Sequence, residues 1–264
     1  MATRSALINV MVRAADRAAR GLRRDFGEVE QLQVSLKGPG NFVSAADHRA
    51  EKVLRQELHH GRPDYGFLME ESGASPGHDA QHRWIVDPLD GTTNFLHGLP
   101  HFCISIGLER AGEIVAGVVF DPIKDELFWA EKGVGAYLND RRLRVSSRRQ
   151  LSQALIATGT PYDREAGRQH YLRQLDAMMD AVADVRSMGA AALDLAYVAA
   201  GRFDGYWEYG LSPWDFAAGM LLVREAGGYV SDPGSGGDPL PSGNVLAAND
   251  HLHASLRNML LQAG

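Results

Sequence analysis

The residues best suited to chemistry lie in Trp84-Ile-Val-Asp87-Pro-Leu-Asp90-Gly91-Thr92-Thr93-Asn94-Phe95. An apolar run of strand type leads into Asp87, and Pro88 is expected to stop it. Asp90-Gly91-Thr92-Thr93 then reads as a helix start, where backbone N–H groups lack intrahelical acceptors. Two carboxylates three positions apart at such an elbow aim at one point, and they repel each other unless a cation lies between them. Unpaired N–H groups at a helix start suit a phosphate oxygen. The elbow therefore offers hard-cation ligands beside an anion cradle, and carboxylate oxygens with water are the ligands Mg²⁺ prefers. A plain helix cap for Asp90 and a turn aspartate for Asp87 are the alternatives.

Three other places bear on that choice. Glu70-Glu71 follow the apolar run Tyr65–Met69, and strand alternation lets at most one of them face inward. Asp215, in Trp214-Asp215-Phe216-Ala-Ala-Gly219, opens a helix of small residues after Pro213, where capping is again the alternative. Glu208 stands between Trp207 and Tyr209, where a lone acid needs a reason. Acids at strand ends and helix starts from both halves are expected to share one cleft, the place where ligands gather in α/β proteins.

The elements that must position these acids follow from periodicity. Helical spacing over 5–25, with Leu7, Ile8, Met11, Ala15, Ala18 and Leu22, and over 45–59, with Ala50, Val53, Leu54 and Leu58, predicts two amphipathic helices. Short Val/Ile/Phe-rich runs at 65–69, 83–86, 102–108, 114–120 and 126–130 predict a largely antiparallel meander. Gly112, Gly117 and Gly135 suit its hairpins. Beyond Ser146 strands (155–158, 184–187, 203–209, 229–231, 245–248) alternate with helices (166–183, 190–200, 213–226, 250–262), the pattern of an α/β half. A soft boundary is placed near 145, giving halves 1–145 and 146–264. Residues 232–243 read as a surface loop.

Composition sets outer limits. The 264 residues are 45% hydrophobic and 23% charged, which excludes a disordered or collagen-like chain. The net charge of −6 gives no global case for nucleic acid. The lone Cys103 reads as a buried core residue and forms no internal disulfide. No signal-peptide core and no run long enough for a membrane span is seen, so a cytoplasmic protein is expected. His59-His60 suit a helix end, His97 and His101 flank a turn beside the elbow, and Trp207 and Tyr209 are expected to pack.

Taken together and in order, Glu70-Glu71-Ser72, Asp87-Pro-Leu-Asp90-Gly-Thr-Thr-Asn-Phe95 and Trp214-Asp215-Phe-Ala-Ala-Gly219 resemble the motifs of the inositol monophosphatase family, and its bacterial SuhB-like members most closely. Residues 37–47, 187–194 and 208–214 resemble further family segments, so the likeness spans the chain. It implies a layered αβαβα sandwich and a Mg²⁺-dependent, lithium-sensitive phosphatase acting on myo-inositol 1-phosphate or a similar polyol monophosphate, usually as a homodimer. It implies two to three Mg²⁺ ions. Glu70, Asp87 and the Leu89 carbonyl would bind the first, and Asp87, Asp90 and Asp215 the second. Thr92, oriented by Asp47, would position the attacking water, with Glu70 as a further catalytic group. N–H groups of Gly91, Thr92 and Thr93 would hold phosphate, while Asp90, Gly189, Ala191, Glu208 and Asp215 would line the hydroxyl side. Lys37 matches a mobile-loop lysine. Neighbouring families act on histidinol phosphate, fructose 1,6-bisphosphate or 3′-phosphoadenosine 5′-phosphate. A regulatory relative that binds RNA or transcription factors is the reading from another class, with Arg141-Arg142 and Arg148-Arg149 as its basic stretch.

Overall fold

The apolar stripe of the first helix finds its partner as the periodicity predicts. In the computed structural model, which describes residues 3–28, 34–38, 41–161 and 167–264 (backbone only for 34–38 and 41–44), α1 (Ala6–Phe26) buries Ile8, Met11, Ala15, Ala18 and Leu22. Ser5 caps it, its hydroxyl accepting from the Ile8 N–H. Strands β1 (Val34–Gly38) and β2 (Asn41–Ser44) form a hairpin that leads into α2 (Ala45–Gly61). Next come β3 (Tyr65–Met69), β4 (Gly73–Ser75), β5 (Asp79–Asp90), α3 (Thr92–Leu96), β6 (Cys103–Arg110), β7 (Glu113–Asp121), β8 (Glu126–Glu131), β9 (Gly135–Leu138) and β10 (Arg141–Arg142). The second half holds β11 (Leu155–Thr158), α4 (Arg168–Ala181), β12 (Asp184–Arg186), α5 (Ala191–Ala199), β13 (Gly205–Glu208), α6 (Pro213–Glu225), β14 (Tyr229–Ser231), β15 (Val245–Ala248) and α7 (His253–Ala263).

These elements stack in five layers. An eight-stranded sheet runs β10-β9-β8-β7-β6-β5-β3-β4, antiparallel except for β3 against β5. A five-stranded sheet runs β12-β11-β13-β15-β14. Helices α1 and α2 cover the outer face of the larger sheet around Trp84, Phe95, Phe102 and Trp129. Helices α4 and α7 cover the outer face of the smaller sheet around Trp207 and Leu256. Between the sheets lie α5 and α6, apolar all round, as a helix buried on every side must be. We retain the division near 145 as a proposal; it falls in the segment joining the two sheets, which share this central core.

The tight central layer explains glycines that looked like turn residues. Gly117 lies in the middle of β7, not in a hairpin, and a Cβ there would stand 2.9 Å from the Ala218 carbonyl oxygen of α6. Gly219 of α6 likewise faces Leu195 of α5. Gly112, with φ +84°, does make the β6–β7 turn.

Candidate active site

Pro88 does not end β5. The strand continues to Asp90, and its pairing with β6 shifts there: Asp87 opposes Ser105 while Asp90 opposes Cys103. Three steps on β5 thus match two on β6, a bulge of one residue. Its consequence is geometric. Residues three apart on a regular strand point to opposite faces, but the extra residue restores parity, so Asp87 and Asp90 both face the α5–α6 layer. Leu89 between them packs into the outer core. Asp90 is not a helix cap either. The residue before α3 is Gly91, held at φ +92°, with no side-chain cap. The first N–H of the elbow to find a helical acceptor is that of Phe95, on Gly91 O at 2.9 Å, which leaves those of Thr92 and Thr93 ahead of the ladder.

The other acids are brought in by identifiable contacts. Glu70 shares strand parity with Leu68, which packs on the central core. The Glu70 N–H continues the pairing onto Val86 O (3.1 Å), and the buried Glu51 of α2 accepts from the Glu71 N–H (2.9 Å). Ser105, opposite Asp87, donates to the Trp214 carbonyl (3.0 Å) and so ties the start of α6 to β6. Asp215 is the third residue of α6. It forms a capping box with Ser212, its Oδ2 accepting the Ser212 N–H at 2.7 Å. Capping and site placement are therefore combined in one residue.

The four carboxylates repel as a group. Burial first, then Glu70, Asp90 and Asp215, push the Asp87 carboxyl well above the ordinary range, and Asp87 shares a hydrogen bond with Glu70. Burial and then Asp215 do the same to Asp90, opposed by the Ala192 N–H that donates to its Oδ2 at 2.8 Å. Cys103, buried as expected, has its thiol 3.6 Å from the same oxygen. The Leu89 N–H donates to Asp87 Oδ1 (2.8 Å). Among the described residues neither Asp87 nor Asp90 has a Lys, Arg or His ion pair. No three acidic, His or Cys side chains among them close into a finished metal shell. Asp87 and Glu70 stand within hydrogen-bond reach of each other, and a divalent cation between them would relieve their repulsion. The donor set is all oxygen, it is crowded, and among the described residues its two buried aspartates have no ion pair, so it fits Mg²⁺.

Thr92 sits against this cluster. Its hydroxyl lies 3.0 Å from Asp47 Oδ1 and 3.0 Å from the Leu89 carbonyl. One hydroxyl proton serves only one of two acceptors at a time. Asp47 is fully buried in the first turn of α2. The side chain of Lys37 lies outside the described residues.

The second half closes the cleft. Asn94 Nδ2 donates to Met188 O (2.7 Å) and His101 O (2.8 Å), which holds Gly189, at φ +80°, beside the elbow. Ala191 opens α5, and Ala190 packs against Gly91. Glu208 accepts from the Tyr206 hydroxyl, and burial raises its carboxyl to about 7, helped by Asp194 and opposed by Tyr206. Its seat depends on Gly159 at the end of β11. A Cβ there would lie 1.9 Å from Glu208 Oε1. Sequence reasoning passed over Gly159, Tyr206, Asn94, Ser105 and Glu51. A glycine after a strand signals a turn first, and the others show no spacing of their own.

The profile of the inositol monophosphatase family matches residues 3–263. The inositol-1-monophosphatase of Rhizobium meliloti (strain 1021) is 58% identical over 257 residues, covering 97% of either chain. The Nus factor SuhB of Escherichia coli (strain K12) is 44% identical over 254 residues, 96% of this chain and 95% of that one. The crystal structure of the extragenic suppressor protein suhB from Bartonella henselae superposes with a TM-score of 0.94 at 57% identity, covering 97% and 98% of the two chains. That of the inositol monophosphatase from Anabaena sp. PCC 7120 gives 0.86 at 39%, covering 96% and 94%. With profile, sequence and layered fold in agreement, the chain belongs to the inositol monophosphatase family.

Proposed function

We propose that the chain is a Mg²⁺-dependent phosphomonoesterase that hydrolyses myo-inositol 1-phosphate or a similar polyol monophosphate. Family membership supports the phosphatase chemistry and the cation. The observation that carries the site is the convergence of Glu70 and Asp215 on the buried Asp87 and Asp90, neither of which has a Lys, Arg or His ion pair among the described residues. Glu70, Asp87 and the Leu89 carbonyl would hold one ion, Asp87, Asp90 and Asp215 a second, and Glu70 would serve a third. Bound there, Mg²⁺ supplies the positive charge that acidifies water and steadies the charge growing on the phosphoryl oxygens.

The chain's own groups do the rest. The Thr92 hydroxyl, within reach of Asp47 and the Leu89 carbonyl, would donate to Asp47 and offer its oxygen as an acceptor for the attacking water. N–H groups of Gly91, Thr92 and Thr93 hold the phosphoryl oxygens. Attack is in line and by water, with no protein nucleophile. Asp90, Gly189, Ala191, Glu208 and Asp215 line the leaving-group side, where Glu208 accepts a substrate hydroxyl. A carboxylate there repels a second phosphate, which disfavours bisphosphate substrates. The test is a phosphate-release panel with Mg²⁺ over myo-inositol 1-phosphate, histidinol phosphate, fructose 1,6-bisphosphate and 3′-phosphoadenosine 5′-phosphate. The inositol ester is expected to lead, and a strong preference for histidinol phosphate overturns the substrate assignment.

The second reading is regulatory. It is favoured by relatives named Nus factor SuhB and by the exposed Arg141, Arg142, Arg144, Arg148 and Arg149. Arg148 already pairs with the buried Asp204, and the chain as a whole is acidic, so we keep nucleic acid as the disfavoured partner. A pull-down with the Asp90→Asn variant separates partner binding from catalysis. A homodimer and a cytoplasmic location belong to the same proposal. Among the described residues no helix is long and apolar enough to cross a membrane.

A further inference from the structure

Two buried polar groups beside the carboxylates stand outside every role given above. His101 lies in the turn that returns the chain from α3 into β6, and Asp194 lies in the first turn of α5. Their side chains are 9% and 2% exposed. Nε2 of His101 is 3.5 Å from Oδ1 of Asp194, and neither atom has a hydrogen-bond partner among the described residues. A carboxylate oxygen buried without a donor is strongly unfavourable, and such orphans call for an explanation. The gap exceeds a normal N–H···O distance by roughly half an ångström, within reach of a small shift.

Among the described residues no donor other than His101 stands near Asp194 Oδ1 without a partner of its own. Burial and the neighbouring Lys124 hold the His101 imidazole down at about 4, against a smaller opposing effect of Asp121. The ring is therefore neutral and carries one N–H. Lys124 is committed to Pro100 O (2.9 Å) and Asp121 Oδ2 (2.6 Å). The ring of Tyr197 packs edge-on against the imidazole with centroids 5.8 Å apart, fixing its plane.

Each member also touches the machinery on its other side. The His101 carbonyl accepts from Asn94 and would stand 3.0 Å from a Cβ at Gly91. Asp194 bonds through its N–H to Ala190 O (2.9 Å), in the same turn whose Ala192 N–H donates to Asp90 Oδ2. Asp194 is also one of the charges felt by Asp90 and Glu208.

We propose that His101 and Asp194 are a positioning pair, in which His101 Nε2–H donates to Asp194 Oδ1 and ties the elbow's return strand to the first turn of α5. Tied in this way, the Ala192 N–H stays on Asp90, and the oxygen that Asp90 turns toward the cation keeps its direction. Neither residue touches substrate or cation. Both act through Asp90, so the pair rests on the reading of Asp90 as a cation ligand.

The test is calorimetric titration of Mg²⁺ into the full-length, EDTA-stripped protein, with no substrate present. His101→Phe keeps a ring of similar size and removes the donor, and its Mg²⁺ dissociation constant is expected to rise about tenfold, the usual effect of losing an outer hydrogen-bond partner. His101→Gln restores an N–H at similar reach and is expected to recover most of the loss. The double variant His101→Phe/Asp194→Leu is expected to lose no more than the worse single variant, because the two act as a unit. A His101→Phe protein that binds Mg²⁺ as tightly as wild type overturns the pair, and so do single losses that multiply in the double variant. Should His101→Phe fail to fold, Asp194→Leu, which removes the acceptor at similar size, carries the test, with weaker Mg²⁺ binding expected and unchanged binding overturning the pair. Absence of Mg²⁺ binding by the wild-type protein overturns the reading of the site itself, and the pair with it.

Discussion

Gly159→Ala is the sharpest perturbation the structure offers, because it acts on Glu208 without altering Glu208. The new Cβ would lie 1.9, 2.0 and 2.1 Å from Oε1, Cδ and Oε2, where ordinary contact begins near 3.4 Å. The carboxylate must retreat by about 1.5 Å, a move open to a flexible side chain but incompatible with its present hydrogen bond from Tyr206. Eviction has two opposing energies. Leaving the buried Tyr206 hydroxyl without an acceptor costs about 1–3 kcal/mol. Releasing the carboxylate relieves a penalty set by its raised pKa, 4.5 to about 7. For an acid raised in the folded state, that penalty is small below 4.5, grows between 4.5 and 7 and is complete above 7. At roughly 1.36 kcal/mol per pH unit it reaches about 3 kcal/mol at pH 8 and about 1 kcal/mol at pH 5. The variant is therefore destabilised at pH 5 and close to neutral at pH 8. The melting-temperature difference, variant minus wild type, should become more favourable by about 4–8 °C between those two pH values, read by scanning calorimetry in EDTA. Loss of a hydrogen bond from substrate to a charged group should lower kcat/KM about 10- to 150-fold. Parallel melting temperatures across pH with wild-type kcat/KM would show that Gly159 does not seat Glu208 and that Glu208 does not meet substrate.

Three further substitutions probe the elbow. Thr92→Val should lower kcat at saturating Mg²⁺ by about 10²–10³-fold with KM within a few-fold, and Thr92→Ser should recover most of it; a kcat near wild type removes Thr92 from the water-positioning role. Asp90→Asn should abolish most phosphate release while raising the melting temperature of the metal-free protein at neutral pH, since one of several repelling charges is gone. The same repulsion sets a pH dependence: because Asp87 and Asp90 are raised in the fold, EDTA-treated wild type should lose stability as pH rises from 3.8 upward, and added Mg²⁺ should flatten that slope, which melting curves with and without the ion can check. Gly91→Ala places a side chain at φ +92° with its Cβ 3.0 Å from His101 O, and should cost about 2 kcal/mol, seen as a drop of about 4–8 °C in melting temperature.

Most of the element order was legible because its signals are local. The stripe over α1, the alternating runs of the meander and the strand–helix alternation after 146 each follow from spacing alone, and their bounds move by only a few residues in the structure. What escaped depends on pairing across the chain. The bulge between Asp87 and Asp90 has no marker beyond Pro88, which read as a stop, and yet it decides that both acids share a face. Gly117 looked like a hairpin glycine because nothing in its neighbourhood announces a helix so close that an added Cβ would stand 2.9 Å from its backbone. Ser105 is an ordinary strand residue and Gly159 an ordinary glycine after a strand until α6 and Glu208 are set against them.

The site works against the fold that carries it, and this is why so many neutral contacts surround it. The two buried aspartates each accept a backbone N–H, the third aspartate accepts one in a capping box, and the glutamate at a strand end is placed by the register of its strand. A backbone donor steadies a carboxylate in one direction and leaves its other oxygen free. An arginine in the same place would neutralise the charge and occupy both oxygens. Ion pairs with arginine do occur at the buried carboxylates of Asp25 and Asp204, whereas among the described residues Asp87 and Asp90 have none. The remaining negative charge is the attraction left for Mg²⁺, and in the metal-free chain it is opposed by the three-layer packing of α5 and α6 between the sheets.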